Sequence, residues 1–274
     1  MAADAARVGG SVNSQVTVLL GVHNGADTLP RCLDSIASQS YRDWTILCVN
    51  DASTDETEQV LLTWQRKLGE RLIVSHNDHN LGLTKSLNKG LSMVNTRFTA
   101  RIDADDWWAH EKLEQQVGFL QKHTDYGVIG CNYRNVGQHG TRQVLLPETN
   151  EQIKRSIIRR NPFAHSCVLF RTELVQSLGG YDERVRYGQD YDLWLRCLPA
   201  TRFHNLPDSL CWRSVGRGIS VEKQRQQMTQ SIRTQLKYIR KYRLSPVNFL
   251  SLAEPLAVVL TPNWLRQLKR RVMR

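Results

Sequence analysis

Short apolar runs alternate with amphipathic stretches along the N-terminal part of the chain. Four runs rich in β-branched and aliphatic residues predict buried strands, at residues 16–22, 45–49, 72–75 and 97–102. Between them, apolar residues recur at helical spacing, as in Leu29, Cys32, Leu33 and Ile36. Strands that alternate with helices in this way are typical of a parallel sheet covered on both faces.

A capping motif predicts where the second of these helices, after the second strand, begins. Ser53 and Glu56 stand three residues apart, the spacing of a capping box, in which each side chain binds the backbone of the other residue. We therefore expect the helix to begin at the end of the loop formed by residues 50–55.

Polar residues directly follow three of the predicted strands. His23 and Asn24 follow the first strand, Asn50 and Asp51 follow the second, and residues 103–106 follow the fourth. In parallel α/β sheets, ligands bind in the crevice beyond the carboxyl ends of the strands. The three polar segments are therefore expected to meet in one site.

Beyond residue 106 the pattern is less regular. It predicts helices at residues 111–123, 148–160, 172–178, 190–198 and 222–242, and strands at 127–133 and 166–170. The chain has no internal repeat and no linker rich in Gly, Pro or Ser. This favours one folded unit over residues 16–220, preceded by a loose leader at 1–15 without a signal-peptide core.

Composition narrows the class of protein. Of the 274 residues, 41% are hydrophobic and 23% are charged, which excludes a disordered or collagen-like chain. The six cysteines include no Cys-x-x-Cys pair, which argues against a zinc ribbon or a disulfide framework and fits a reducing cytosol. The longest apolar stretch, residues 249–260, is interrupted by Glu254 and Pro255, so we expect a soluble or peripheral protein without a membrane span.

Positive charge is concentrated at the C-terminus. Residues 221–274 contain twelve Lys and Arg and two acidic residues, so they carry ten of the eleven net positive charges. Trp264, Leu265, Leu268 and Val272 alternate there with basic residues, as in a helix that lies on anionic lipid. A solvated amphipathic helix or a nucleic-acid-binding segment has the same composition, and the tail alone does not choose between them.

Three carboxylates, from Asp103, Asp105 and Asp106, lie within four residues after a buried strand. Like charges this close resist ionisation unless a cation lies among them. Mg²⁺ and Mn²⁺ suit the position, because they take oxygen ligands from a few carboxylates and from substrate phosphates. The alternative is a solvated turn that caps the next helix. The position at the carboxyl end of a strand favours the metal.

Acidic residues at two further places are candidates for function. Asp51 can accept a hydrogen bond from a nucleobase imide or a ribose hydroxyl, but it also suits a turn before a helix. Asp190 and Asp192 stand at a predicted helix start, where the helix dipole favours acids. One of the two is alternatively a general base that takes a proton from an attacking hydroxyl.

In this order and spacing, the motifs resemble family 2 of the inverting, nucleotide-sugar-dependent glycosyltransferases. The markers are residues 22–24, 32–40, 50–55, 80–82, 88–90, 103–106 and 189–190. The resemblance implies the A-type glycosyltransferase fold, a Rossmann-like, mixed and mainly parallel α/β sheet flanked by helices. It divides the chain into a nucleotide-binding half (16–106), an acceptor and sugar half (107–220) and a basic helical extension (221–274).

The resemblance also implies roles for individual residues. The nucleotide-sugar would be bound by Val22, His23, Asn24, Asp51, Lys85, Asp103, Ala104 and Asp105. Within this set, Asp51 would face the base, Asp103 the ribose, and Lys85 a phosphate. The divalent cation, Mn²⁺ or Mg²⁺, would bind Asp105, with Asp106 as a further candidate ligand.

The resemblance also assigns the catalytic base, and the sequence departs from the family pattern at several positions. Asp190, and not Asp192, matches the position of the base. The family often has Tyr at the place of His23, Asp at the place of Asn50, and a histidine at the place of Val215, so a histidine metal ligand is not expected there. The Gln-x-x-Arg-Trp signature of processive synthases is absent, which favours one sugar per encounter.

The activity implied is a metal-dependent, inverting transfer of one sugar from a UDP-linked donor to a glycan or lipid-linked hydroxyl, in surface polysaccharide or lipopolysaccharide biosynthesis. We expect a cytoplasmic enzyme whose tail docks on the inner face of the membrane, without a nucleic-acid partner. Two alternatives are a magnesium-dependent nucleotidyltransferase and a non-catalytic lipid or nucleic-acid binding module. The former usually has a basic, Gly-rich phosphate loop after the first strand, and residues 21–25 contain no Lys or Arg.

Overall fold

The computed structural model describes residues 14–138, 140–215, 221–243 and 245–261, with residues 221–224 and 254 described by their backbone alone. The strands in these ranges are β1 Val16–Val22, β2 Trp44–Asn50, β3 Leu72–His76, β4 Phe98–Asp103, β5 Trp107–Trp108, β6 Tyr126–Gly137, β7 Gly140–Val144, β8 Leu169–Arg171 and β9 Arg202–Ser214. The α-helices are α1 Leu29–Ala37, α2 Thr57–Leu68, α3 Leu83–Met93, α4 Lys112–Lys122, α5 Asn150–Ser156, α6 Thr172–Ser177, α7 Gln189–Cys197, α8 Val221–Lys241 and α9 Ala253–Leu260. Short 3₁₀ turns lie at Gly69–Arg71, His165–Cys167 and Pro246–Leu252.

One sheet contains all of these strands, in the order β3-β2-β1-β4-β8-β6-β9-β5, with β7 paired to β6. Strand β1 runs parallel to both β2 and β4. Val22 lies opposite Asn50, and Gly21 lies opposite Asp103. The carboxyl ends of β1, β2 and β4 are therefore neighbours, and the predicted mixed α/β sheet is confirmed.

The second half of the sheet has mixed strand directions. Strand β8 is antiparallel to β4 and to β6, and β9 is parallel to β6. The 3₁₀ turn before β8 packs against β4, since the Arg101 backbone N–H donates to the Val168 carbonyl at 3.1 Å. This contact brings Ser166, from the distant second half, beside the end of β4.

The core is divided between the two faces of the sheet. Every residue of β1 is buried, as expected for a central strand covered on both faces. Val18 and Leu20 point into one core together with residues of α1, whereas Leu19 points into the other core together with residues of α3 and α7. Alternation along the strand thus fixes its register.

The basic helix α8 packs against the folded body. Tyr238 and Ile239 are 0% and 2% exposed within the core that also contains residues of α7. The Tyr242 hydroxyl donates to the Leu195 carbonyl at 2.6 Å. The predicted pattern at Trp264, Leu265, Leu268 and Val272 lies outside the described residues. Of the helices that are described, none is both long and apolar enough to cross a membrane.

Two local predictions are wrong. Helix α2 begins at Thr57 without the predicted capping box. Instead, the Asp55 carboxylate accepts a hydrogen bond from the Thr57 backbone N–H at 3.0 Å, and the Ser53 hydroxyl accepts one from the Asn24 N–H at 3.0 Å. The helix predicted over residues 148–160 is shorter: it begins at Asn150, where Thr149 and Gln152 form a capping box, and it ends at Ser156.

Candidate active site

The loops after β1 and β2 are fastened to each other. Asn24 has a left-handed backbone, with φ 53°, and its Oδ1 accepts a hydrogen bond from the Thr54 N–H at 2.8 Å. His23 Nδ1 lies 2.8 Å from the Asp51 carbonyl oxygen. Val22 is buried, whereas His23 and Asn24 are exposed. The predicted nucleoside-binding residues of the two loops therefore form one rim.

The Asp51 carboxylate anchors the segment that leads into α3. Its Oδ1 accepts hydrogen bonds from Asn77 Nδ2 at 2.7 Å and from the Leu81 N–H at 2.8 Å, and its Oδ2 accepts one from the Gly82 N–H at 2.8 Å. Burial alone would raise the pKa of this carboxyl, but the hydrogen bonds lower it. Lys85, on the first turn of α3, is exposed.

The acidic cluster, which consists of Asp103, Asp105 and Asp106, occupies the turn between β4 and β5. One carboxylate oxygen from each residue lies within 4.8 Å of the others. Asp106 is buried, Asp105 is exposed, and Asp103 and Ala104 are intermediate. Oxygen ligands at this spacing are the kind that Mg²⁺ and Mn²⁺ take.

Asp103 is fixed by a buried arginine and a buried serine. The Arg101 side chain is fully buried and forms an ion pair through Nη2 with Asp103 Oδ1. The Ser166 hydroxyl donates to Asp103 Oδ2 at 3.2 Å and accepts from the Asp103 N–H at 3.0 Å. Burial would raise the pKa of Asp103, but the Arg101 charge holds it well below its usual range. Asp103 is therefore an oriented anion.

Asp105 and Asp106 are shifted in the opposite direction. Loss of solvent around each carboxyl, which is partial at Asp105, and the charge of Asp103 raise the pKa of both groups, that of the buried Asp106 to about 7. Asp106 Oδ1 accepts a hydrogen bond from the Ser214 N–H at 2.8 Å, and its Oδ2 lies 3.8 Å from Arg213 Nε. A divalent cation would relieve the repulsion between these carboxylates, so the residues of the acidic cluster fit Mn²⁺ or Mg²⁺.

A cationic and aromatic stack supports the turn from the side of α1. Arg31 Nη2 donates to the Asp105 carbonyl at 3.2 Å, and the guanidinium carbon lies 3.5 Å from the ring centroid of Trp107. Trp107 in turn stacks on Trp212, with the centroids 6.3 Å apart and the planes at 3°. The stack fixes the backbone that carries Asp105 against β5 and β9.

Asp190 lies in the first turn of α7. Gly188, with a left-handed φ of 68°, precedes the first turn of the helix. Asn161 Nδ2 donates to Asp190 Oδ2 at 2.7 Å. Burial and the nearby charge of Asp103 raise the pKa of Asp190, while Asn161 and Arg101 lower it. The segment at residues 161–166 contacts both acids, because Asn161 donates to Asp190 and Ser166 donates to Asp103.

Asp192, two residues further along α7, stabilises the fold. It is fully buried, and its carboxylate accepts hydrogen bonds from Arg196 Nε at 2.9 Å, from Lys237 Nζ at 2.8 Å and from the Tyr238 hydroxyl at 3.0 Å. All of its partners are cationic or hydroxyl groups of α7 and α8. The geometry therefore leaves Asp190 as the carboxylate that is available to a ligand.

The structure places most of the residues that the sequence predicts for the site at three neighbouring strand ends and at one helix start. The ends of β1, β2 and β4 and the start of α7 carry Val22, His23, Asn24, Asp51, Asp103, Ala104, Asp105, Asp106 and Asp190. Among the described residues, no hydrogen bond or ion pair joins Lys85 to this group. Sequence reasoning missed Arg31, Arg101, Asn161 and Arg213 as residues of the site. The signal for Arg101 was available: it is a charged residue inside a strand that is otherwise mostly apolar.

The fold and the site together define a class, the glycosyltransferases. The model of glycosyl transferase family 2 matches residues 17–179, and the chain belongs to that family. It is 34% identical over 200 residues to EpsE of Bacillus subtilis (strain 168), whose name describes a glycosyltransferase, and the match covers 72% of this chain and 71% of EpsE. It is 33% identical over 199 residues to the amylovoran biosynthesis glycosyltransferase AmsE of Erwinia amylovora, covering 71% and 74% of the two chains.

Solved structures have the same fold. S. aureus TarS 1–349 in complex with UDP aligns with a TM-score of 0.68 at 24% identity, over 88% of this chain and 70% of TarS. The mannosyltransferase PcManGT from Pyrobaculum calidifontis, in complex with GDP-Man and Mn²⁺, aligns with a TM-score of 0.67 at 20% identity, over 89% and 73% of the chains. The predicted A-type glycosyltransferase fold is confirmed.

Proposed function

We propose that this enzyme transfers one sugar from a UDP-linked donor to a hydroxyl of a glycan or lipid-linked acceptor, with inversion at the anomeric carbon. The observation that supports the proposal is that one segment, residues 161–166, contacts Asp190 through Asn161 and Asp103 of the acidic cluster through Ser166. The UDP complex of TarS supports the donor class. The name of AmsE supports a role in surface polysaccharide or lipopolysaccharide biosynthesis.

Donor binding uses the carboxyl ends of the strands. The rim of Val22, His23 and Asn24 holds the nucleoside, with Asp51 beneath the base. Lys85, on the first turn of α3, lies where a helix N-terminus favours a phosphate group. A sugar nucleotide placed in this way presents its ribose to Asp103.

The acidic cluster holds the diphosphate side of the donor. Asp105, with Asp106 as a second ligand, would bind Mn²⁺ or Mg²⁺. When bound, the cation supplies charge neutralisation for the departing nucleoside diphosphate. Arg101 and Ser166 keep Asp103 in place, and Arg31 fixes the backbone carbonyl of Asp105.

Asp190 is the general base. Asn161 holds Oδ2, and the carboxylate takes the proton of the acceptor hydroxyl. The acceptor oxygen forms its bond to the anomeric carbon as the bond to the diphosphate breaks on the opposite face. The electron pair of that bond leaves with the nucleoside diphosphate, and the configuration inverts.

A donor screen tests the proposal. Thermal shifts are measured for the full chain with a panel of UDP-, GDP- and dTDP-sugars, each with Mn²⁺ and with EDTA. We expect one UDP-sugar to raise the melting temperature more with Mn²⁺ than with EDTA, and that sugar to be transferred to a glycan or lipid-linked acceptor. No shift with any nucleotide-sugar would contradict the proposal, and preference for a GDP-sugar would contradict the UDP assignment.

We also propose that residues 221–274 hold the enzyme on the inner face of the membrane. Exposed apolar side chains are frequent after α8, with Val247 at 56%, Leu250 at 71% and Leu260 at 75% exposure, and Arg240 and Lys241 are exposed nearby. We expect the enzyme to sediment with phosphatidylglycerol vesicles at low salt and not to sediment with phosphatidylcholine vesicles. Equal recovery in the supernatant with both lipids would contradict this docking.

A further inference from the structure

The backbone that follows α5 is held by side chains of two other helices. The Tyr191 hydroxyl, on α7, donates to the Ile157 carbonyl at 2.7 Å and lies 2.9 Å from the Ile158 carbonyl. Gln235 Nε2, on α8, donates to the Arg159 carbonyl at 2.9 Å. Gln235 is 1% exposed, and a buried amide is costly unless it forms hydrogen bonds. An apolar side chain would pack there at lower cost, so the amide points to a role for this hydrogen bond.

The segment held in this way leads to the side chain that binds Asp190. Asn161 lies two residues after Arg159, and its Nδ2 donates to Asp190 Oδ2 at 2.7 Å. Its Oδ1 accepts a hydrogen bond from the Phe163 N–H at 3.2 Å. Both ends of the Asn161 amide are thus engaged, and its orientation depends on the backbone of residues 159–163. A group that holds the Arg159 carbonyl therefore also steadies the hydrogen bond to Asp190.

Helix α8 also contacts the chain on both sides of Asp190. The Tyr187 hydroxyl, three residues before Asp190, donates to Gln226 Oε1 at 3.0 Å. Asp192, two residues after Asp190, accepts a hydrogen bond from Lys237 Nζ at 2.8 Å. Gln226 is exposed and the Lys237 side chain is 45% exposed, so water has access to both of these α8 side chains. The helix is therefore attached to three segments around the proposed base.

We propose that Gln235 is a positioning residue of the transfer reaction, which sets the Asn161 amide against Asp190 by holding the Arg159 carbonyl. This inference rests on the proposed function, because it adds a support to the general base assigned there. The other two contacts of α8 start from side chains that water reaches, whereas this one starts from a buried side chain. The catalytic unit in this proposal extends through α8, beyond the boundary at residue 220 that the sequence predicts.

Gln235→Met tests the hydrogen bond in the full chain. Methionine fills a similar volume and has no N–H donor, so packing should change little. The acid limb of the kcat–pH profile should move to higher pH by roughly half a unit, against roughly one unit for Asn161→Ala, because the bond to Asp190 is loosened rather than removed. The charged and titratable groups that act on Asp190 stay in place in the variant; they are Arg101, Asp103 and Tyr181.

Donor affinity distinguishes support of the base from general damage. Calorimetry with Mn²⁺ and the UDP-sugar found in the donor screen should give the wild-type affinity for Gln235→Met, because the variant acts on the base and not on the donor. A loss of donor affinity in this variant would contradict the inference.

A double variant separates a positioning role from a purely structural one. If Gln235 acts through Asn161, adding Gln235→Met to Asn161→Ala should leave the acid limb where Asn161→Ala alone puts it. Independent roles would instead add the two shifts, and a limb displaced by their sum would overturn the inference. A folded Gln235→Met enzyme, checked by circular dichroism, with the wild-type acid limb would overturn it too.

Arg233→Met is the matched control, because Arg233 is exposed on the same helix, two residues before Gln235. It should change neither the donor affinity nor the pH profile. If Gln235→Met does not fold, Gln235→Asn takes its place, because its amide is one methylene too short for the Arg159 carbonyl. It should move the acid limb in the same direction, and an unmoved limb would overturn the inference.

Failure of the proposed function would be recognised separately. It would appear in the wild-type enzyme, as absence of nucleotide-sugar binding or of transfer. Failure of the inference alone would leave a wild-type enzyme that binds and transfers, together with Gln235 variants that have the same pH profile.

Discussion

Two regions of the proposed active site, the turn at residues 103–106 and the start of α7, have a similar arrangement of acids. Each contains an acid that a cationic side chain holds in one orientation and an acid that is left with fewer partners. In the turn, Arg101 fixes Asp103 while Asp105 is exposed. At the start of α7, Arg196 and Lys237 fix Asp192, while Asn161 is the side chain that donates to Asp190 among the described residues.

The regions differ in what the fixed acid faces. The Asp103 side chain remains 32% exposed, so it is open to a ligand as well as to Arg101. The Asp192 side chain is 0% exposed, and its partners come from α7 and α8. A fixed acid at the rim of a site orients a substrate, whereas a fixed acid in the interior orients a helix. Asp190 and Asp192 can therefore have unrelated roles although they are only two residues apart.

The largest effect is expected at Asp190. Asp190→Asn should reduce kcat by about a thousandfold, because an amide cannot take the acceptor proton. Affinity for the nucleotide-sugar should be nearly unchanged, since the proposed role of Asp190 concerns the acceptor. Steady-state kinetics and calorimetry measure the two quantities. Asp192→Asn is the comparison variant, and a larger loss of kcat there than in Asp190→Asn would reverse the two roles.

Asp105 tests the exposed acid of the turn. Asp105→Ala should remove the gain in donor affinity that Mn²⁺ provides, about tenfold or more, because the cation loses its main ligand. Calorimetric titrations of the donor with Mn²⁺ and with EDTA should then agree with each other. A gain from Mn²⁺ as large as that of the wild type would exclude Asp105 as a ligand.

Asp192 tests the buried acid of α7. Asp192→Ala should lower the free energy of unfolding by about 3 kcal/mol, because it leaves the cations of Arg196 and Lys237 without their partner. Urea unfolding followed by circular dichroism gives this quantity. Lys241→Met, at an exposed cation on the same helix, should change it by less than about 1 kcal/mol. Similar losses of unfolding free energy in the two variants would show that the ion pairs of Asp192 contribute no more to stability than an exposed charge does.

The smallest effect concerns the pH profile. Burial raises the pKa of Asp190, and the hydrogen bond from Asn161 lowers it. A base works only when deprotonated, so kcat falls as the pH drops through this pKa. Asn161→Ala should raise the pKa further and move the acid limb of kcat to higher pH. Asn95→Ala, at an exposed position, should leave it in place, and an unmoved limb in Asn161→Ala would contradict the role of that hydrogen bond.

Much of the first half of the fold was predictable from the sequence. The strands at 16–22, 45–49, 72–75 and 97–102 are signalled by local runs of apolar residues, and polar residues mark their carboxyl ends. The predicted capping box failed because Ser53 binds the neighbouring loop through Asn24, a contact between residues distant in sequence. The spacing of residues along the chain predicts hydrogen bonds within one turn of a helix. It does not show that another loop, here the one that contains Asn24, competes for the same side chain.

The arrangement around the acids could not be predicted in the same way. Ser166 reaches Asp103 across 63 residues, and Lys237 reaches Asp192 across 45. Both contacts depend on strand order and helix packing that a periodicity analysis does not supply. This is why the sequence alone left Asp190 and Asp192 as equal candidates, and why only the resemblance to a family chose between them.

The stereochemistry of the product tests the central claim most directly. The claim is that the acidic cluster and Asp190 act on opposite faces of one sugar in a single displacement. Proton NMR of the reaction mixture, recorded from the first turnovers with an α-linked UDP-sugar, gives the anomeric coupling constant of the new linkage. A β-linked product is expected. An α-linked first product would contradict the account, because a single displacement cannot retain the configuration.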